Sequence, residues 1–145
     1  MPVDHTASAN WNGDLMGGSG SFSLGSGAAT DVGITWKARA EDASAGTSPE
    51  ELLAGALASC FSMALSAGLA RAGTPPTRID TDATATFEVG DPGPRVSRIA
   101  LRVRGQVDGI DDGAFREAAE GAKTNCPVSK AFAGNVEITL DAALA

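Results

Sequence analysis

Two stretches of the chain alternate apolar and polar residues with a period of two. In the first, Ile79, Thr81, Ala83, Ala85 and Phe87 fall against Asp80, Asp82, Thr84, Thr86 and Glu88, which predicts a strand over 79–89 with one wet face. In the second, Ile99, Leu101 and Val103 interleave with Arg98, Ala100, Arg102 and Arg104, predicting another long strand over 96–107. The connection Gly90-Asp91-Pro92-Gly93-Pro94 is short, so the two should be antiparallel neighbours. Their arginines then share a solvated face with Asp80, Asp82 and Glu88, and read as cross-strand charge partners rather than as an anion site.

Between residues 52 and 70 the pattern changes to an uncharged run of Leu, Ala, Gly and Ser. Ser48-Pro49-Glu50-Glu51 precedes it with the signals of a helix start: a capping Ser, a Pro at the first helical position, and Glu51 closing a capping box. Gly73 should end the helix near Arg71, and Pro75-Pro76 should keep it from resuming. The run is long enough to span a bilayer, but its few leucines and single phenylalanine favour a buried helix at the centre of a domain. Upstream, glycine-rich sequence (GGSGSFSLGSG) separates short segments at 8–11, 19–24 and 34–40 that read as strands, with helix disfavoured. Downstream, Phe115, Ala118, Ala119 and Ala122 predict an amphipathic helix over 112–123. Asn125-Cys126-Pro127-Val128 starts a further helix, with Asn125 or Cys126 near its N-cap and Pro127 at its first or second position, so that the Cys126 thiol sits where free amides favour a thiolate. Residues 136–140 form a last strand. The expected fold class is α+β: one domain over 1–145 in which antiparallel sheet covers a long central helix.

Length and charge narrow the function. At 145 residues, 43% hydrophobic and 20% charged, the chain can bury a core. Its net charge of -7 and lack of a basic patch disfavour nucleic acid and anionic membrane surfaces as partners. The glycine cluster lacks the third glycine of a dinucleotide fingerprint and the lysine of a phosphate loop. A single histidine, His5, removes most metal sites and histidine triads. With two cysteines and no apolar leader, the expectation is a cytoplasmic protein with reduced thiols.

The reactive groups that remain are Cys60, mid-way along the apolar helix, and Cys126 at a helix start. Burial alone raises a thiol pKa, so Cys60 needs a cation to attack as a thiolate. Two other readings stay open: a binding module whose cysteines only pack, and a structural disulfide.

The sequence GTSPEELLAGALASCFSMALS together with CPVSKA resembles the OsmC/Ohr family of thiol peroxidases, more closely its OsmC branch. The likeness extends from the Asn-Gly-Asp turn after Trp11 to the final EITLD strand. It implies reduction of organic hydroperoxides, and of hydrogen peroxide less readily. It also implies an intertwined homodimer with no metal or organic cofactor, and a lipoyl-type dithiol as reductant. Cys60 resembles the peroxidatic cysteine and Cys126 the resolving one; the family's catalytic arginine matches Arg39, with Lys37 nearby, and its partner glutamate matches Glu50. Ten residues apart, Glu50 and Cys60 would lie about 15 Å from each other along one helix. Glu50 is therefore expected to serve the Cys60 of a partner chain across a dyad. The leucines, Phe61 and Met63 flanking Cys60 predict an apolar pocket for an alkyl tail.

Overall fold

A computed structural model describes all residues, 1–145. The chain forms two compact units, Met1–Pro49 and Glu50–Ala145.

In the first unit, β1 (Ala7–Asn12), β2 (Ser19–Leu24) and β3 (Val32–Ile34) make an antiparallel meander in the order β1-β2-β3. The Asp14 carboxylate holds the β1–β2 turn, accepting the Met16 and Gly17 N–H groups at 2.9 and 2.8 Å. The strand expected over 34–40 is not one. It ends at Ile34, and Trp36–Ala40 is a short helix, α1. The sequence explains the correction: Thr35 is extended and its hydroxyl caps the Ala38 N–H at 3.2 Å, while Ala, Lys and Arg are strong helix formers.

The second unit is built on α2 (Pro49–Arg71), which starts at the expected proline. It ends in a Schellman turn at Gly73, φ +85°, with Thr74 N–H on Leu69 C=O at 3.0 Å and Gly73 N–H on Ala70 C=O at 3.1 Å. Ala54, Leu57, Phe61, Leu65 and Leu69 form its buried stripe, at the three- and four-residue spacing of one helix face. Length and composition alone would let α2 cross a membrane, with a mean hydropathy of 1.8 over its most apolar window. In the fold Leu57, Phe61, Leu65 and Leu69 of this stripe instead join one core with the sheet.

That sheet has the order β4-β5-β6: β4 (Arg78–Glu88), β5 (Arg95–Gln106) and β6 (Glu137–Leu144). β4 and β5 are antiparallel, with Thr81 opposite Val103, Ala83 opposite Leu101 and Ala85 opposite Ile99 on the core side. On the wet side Arg102 meets Asp82 at 3.3 Å and Arg95 meets Glu88 at 3.1 Å. Two pairings differ from the simple cross-strand scheme: Asp80 takes Arg78 of its own strand at 2.7 Å, and Arg104 takes Asp141 of β6 at 2.8 Å. β6 joins β5 in parallel, so the sheet is mixed. The reason is the two helices between them, α3 (Asp112–Asn125) and α4 (Pro127–Phe132), since a parallel neighbour requires a crossover. α3 buries Phe115, Ala119 and Ala122. Gly105 makes room for the Phe115 ring, which a Cβ at that position would strike.

Candidate active site

Cys126 owes its position to Pro127. A proline disfavours helical backbone at the residue before it, and Cys126 is extended, with φ -57° and ψ 125°. Its N–H still closes α3 on Ala122 C=O at 2.8 Å, while its C=O already accepts the Lys130 N–H of α4 at 3.0 Å. The side chain therefore sits in the elbow between two helices, fully buried. Cys60 lies mid-way along α2, beside Phe61 at the edge of the buried stripe, and is half-buried.

The fold brings the two sulfurs together: they are hydrogen-bonded at 3.0 Å as free thiols, 66 residues apart in sequence. Their proton affinities diverge. Burial pushes the Cys60 thiol up, its contact with Cys126 pushes it further, and the Val128 N–H offsets part of this. Burial also pushes Cys126 up, but the hydrogen bond from Cys60, the N–H and hydroxyl of Ser129 and the Val128 N–H outweigh it and hold Cys126 below an ordinary thiol. The pair titrates as a unit.

Glu50 is buried in the first turn of α2, ten residues before Cys60 on the same helix. Arg39 lies in α1, half-buried, whereas Lys37 on that helix is exposed. No group of three or more His, Cys, Asp or Glu side chains has the arrangement of a metal site. Two features were not foreseen: the helical setting of Arg39, and Ser129, whose buried hydroxyl stands three positions after Cys126. That spacing was a readable signal, because residues three apart at a helix start share one face.

Residues 40–141 match the family model described as OsmC-like protein. The chain belongs to the OsmC-like family. It is 40% identical to Peroxiredoxin OsmC of Escherichia coli over 141 residues, covering 97% of this chain and 96% of that protein. It is 32% identical to the organic hydroperoxide resistance protein OhrA of Bacillus subtilis over 117 residues, covering 78% and 79%. Among solved structures, the organic hydroperoxide resistance protein OhrB of Bacillus subtilis superposes with a TM-score of 0.74 at 25% identity, covering 94% of this chain and 97% of the other. An OsmC protein from Legionella pneumophila gives 0.74 at 20% identity, covering 98% and 99%. The resemblance carried by GTSPEELLAGALASCFSMALS and CPVSKA is thus borne out at the level of family, and the α+β fold is that of OsmC-like proteins.

Proposed function

We propose that this OsmC-like chain is a peroxiredoxin-like peroxidase that reduces organic hydroperoxides, and hydrogen peroxide less readily, with the Cys60 and Cys126 thiols as its reducing groups. The observation that carries the reading is the 3.0 Å contact between a half-buried and a fully buried thiol. The relatives named peroxiredoxin and organic hydroperoxide resistance protein support the substrate class.

Cys60 is the attacking sulfur because it is the one a solute can reach. Its thiolate takes the distal oxygen of R–O–O–H; the O–O bond breaks, the alkoxide leaves and is protonated to the alcohol, and Cys60 is left as sulfenic acid. Cys126 then attacks the Cys60 sulfur, a disulfide forms, and the hydroxyl leaves as water with one proton. A dithiol of lipoyl type exchanges with the disulfide, is itself oxidised to its cyclic disulfide and returns both thiols. The cycle consumes two electrons per hydroperoxide and calls for neither metal nor organic cofactor.

Burial and Cys126 hold the Cys60 thiol up, so the first step needs a cation. Arg39 is assigned that role on its match to the family's arginine, and Glu50 is assigned as its partner. The proposal includes a homodimer with shared sites. Its support is the outward side of α2, where Gly55, Ala56, Ser59, Ala67 and Ala70 are exposed together with Leu52 and with Met63, the latter 73% exposed. A second α2 packed antiparallel on that side would carry the first turn of one helix past Cys60 of the other. Glu50 is buried in that turn on the stripe of Ala54 and Leu57, so serving the partner's Cys60 requires its carboxylate to turn out of its own core, while within one chain it stands about 15 Å from Cys60 along the helix. Reduced thiols agree with a cytoplasmic location.

Mass spectrometry after one equivalent of organic hydroperoxide tests the division of labour. Cys60→Ser should neither gain oxygen nor reduce peroxide, and Cys126→Ser should reduce one equivalent and hold a sulfenic acid on Cys60. Loss of the first turnover in both variants would contradict it.

A further inference from the structure

Ser129 carries a buried side-chain oxygen with no hydrogen-bond partner. Such a group forfeits its hydration without compensation, and native proteins rarely leave one so without a use. Ser129 is the third residue of α4, and Cys126 is the N-cap of that helix. Residues three apart share one face at a helix start, and helical side chains lean toward the N-terminus, so Ser129 is on the face that leads back to Cys126. Cys126 Sγ makes no capping hydrogen bond to the backbone, and the Ser129 N–H and hydroxyl are among the groups that lower its proton affinity. While Cys126 is a thiol, the hydroxyl has nothing it must do. A charged sulfur gives it an acceptor.

We propose that Ser129 is a positioning residue for the cysteine pair, its Oγ–H turning onto the Cys126 sulfur whenever that sulfur carries charge. The inference rests on the peroxidase reading for its place in a cycle, though not for the contact itself. Charge appears on Cys126 twice. In resolution, the Cys126 thiolate attacks the Cys60 sulfenic acid, forming the S–S bond and releasing hydroxide, which is protonated to water. In reduction, Cys126 is fully buried, so an incoming dithiol can attack only Cys60. A bond forms between the dithiol sulfur and Cys60, the disulfide breaks, and its electron pair goes to Cys126 as the leaving thiolate. The second thiol of the reductant then displaces Cys60. A leaving sulfur held at low pKa departs faster, so one hydroxyl assists both steps.

Other groups also bear on Cys126. Cys60 is the titratable one from α2, and Val128 and Ser129 supply N–H groups from α4. Near the end of α3, Lys123 is engaged by Glu120 at 2.8 Å. The sheet presents Ile99, Leu101 and Val103 to this core, all apolar.

Two measurements test the proposal. In a Cys60→Ala background, thiolate absorbance against pH reports Cys126 without any peroxide chemistry. Adding Ser129→Ala should move the midpoint up by about one pH unit, since a hydrogen bond to a charged acceptor is lost, and Ser129→Thr should restore it. An unchanged midpoint overturns the proposal. With both cysteines present and one equivalent of organic hydroperoxide added, dimedone trapping should show the Cys60 sulfenic acid of Ser129→Ala persisting about tenfold longer than in the parent. An equal lifetime overturns the role in resolution. Should the parent fail to oxidise while the midpoint shift is seen, the peroxidase reading fails and the hold of Ser129 on Cys126 stands.

Discussion

Cys60 and Cys126 are chemically alike but occupy sites that differ in two respects. Cys60 has access to solvent and a raised pKa; Cys126 is enclosed and has hydrogen-bond donors around it. In the proposed cycle access selects the attacker and hydrogen bonding the resolver, so the attacker needs charge from elsewhere. Arg39→Ala should therefore shift the Cys60 titration, read in a Cys126→Ser background by thiolate absorbance, upward by about one to three pH units. The sign follows from the charge: a guanidinium favours thiolate over thiol, so its loss leaves less thiolate at neutral pH. The peroxide step should slow there by about tenfold or more, and the deficit should close as pH rises through the thiol range. An unchanged titration would transfer the role to Lys37. Both cysteines could be named from the sequence because a lone histidine removes most triads and metal sites and because the residues around Cys60 and Cys126 resemble those of the OsmC/Ohr family. Their pairing as a Cys60–Cys126 disulfide followed only from that resemblance, since nothing local links positions 66 apart.

At the scale of elements, the sequence was most legible where burial has a period. The alternation at 79–89 and 96–107 and the Ser-Pro-Glu-Glu helix start reappear as β4, β5 and α2 to within a residue or two. Where a segment is too short to have a period, local rules failed: 34–40 divides into a strand and α1 because the Thr35 cap outweighs β-branched propensity. The parallel pairing of β6 was likewise hidden, as it depends on how α3 and α4 carry the chain across the sheet. The elbow at Cys126 was legible because proline acts on its immediate neighbour. Pro127→Ala should let α3 run on through Cys126 and turn its sulfur away from Cys60. Disulfide formation after one equivalent of hydroperoxide, followed by quenched mass spectrometry, should then be about tenfold or more slower, as displacement of a reacting group by a fraction of an ångström commonly costs. A rate equal to the parent's would mean that the proline does not place the thiol.

On the scale of the whole molecule, α2 has one side in the core and another, lined by Leu52, Met63 and small residues, that meets solvent in the single chain. The proposed dimer covers that side and makes each site from two chains. Cys60→Ser and Glu50→Ala chains, unfolded and refolded together, test the sharing. Each heterodimer would hold one site with both defects and one with neither, so a random mixture should recover roughly a quarter of the parent's activity. No recovery from confirmed heterodimers would place Glu50 within its own chain. The central claim, that the two thiols are the peroxidase, is tested most directly by counting them in the unaltered protein before and within seconds of adding one equivalent of organic hydroperoxide. The account predicts two free thiols per chain at the start and none afterwards, with one alcohol formed per chain and both thiols returned by a dithiol. Two thiols that survive the peroxide would make the cysteines packing residues, and no free thiol at the start would make them a structural disulfide; either result would contradict the account.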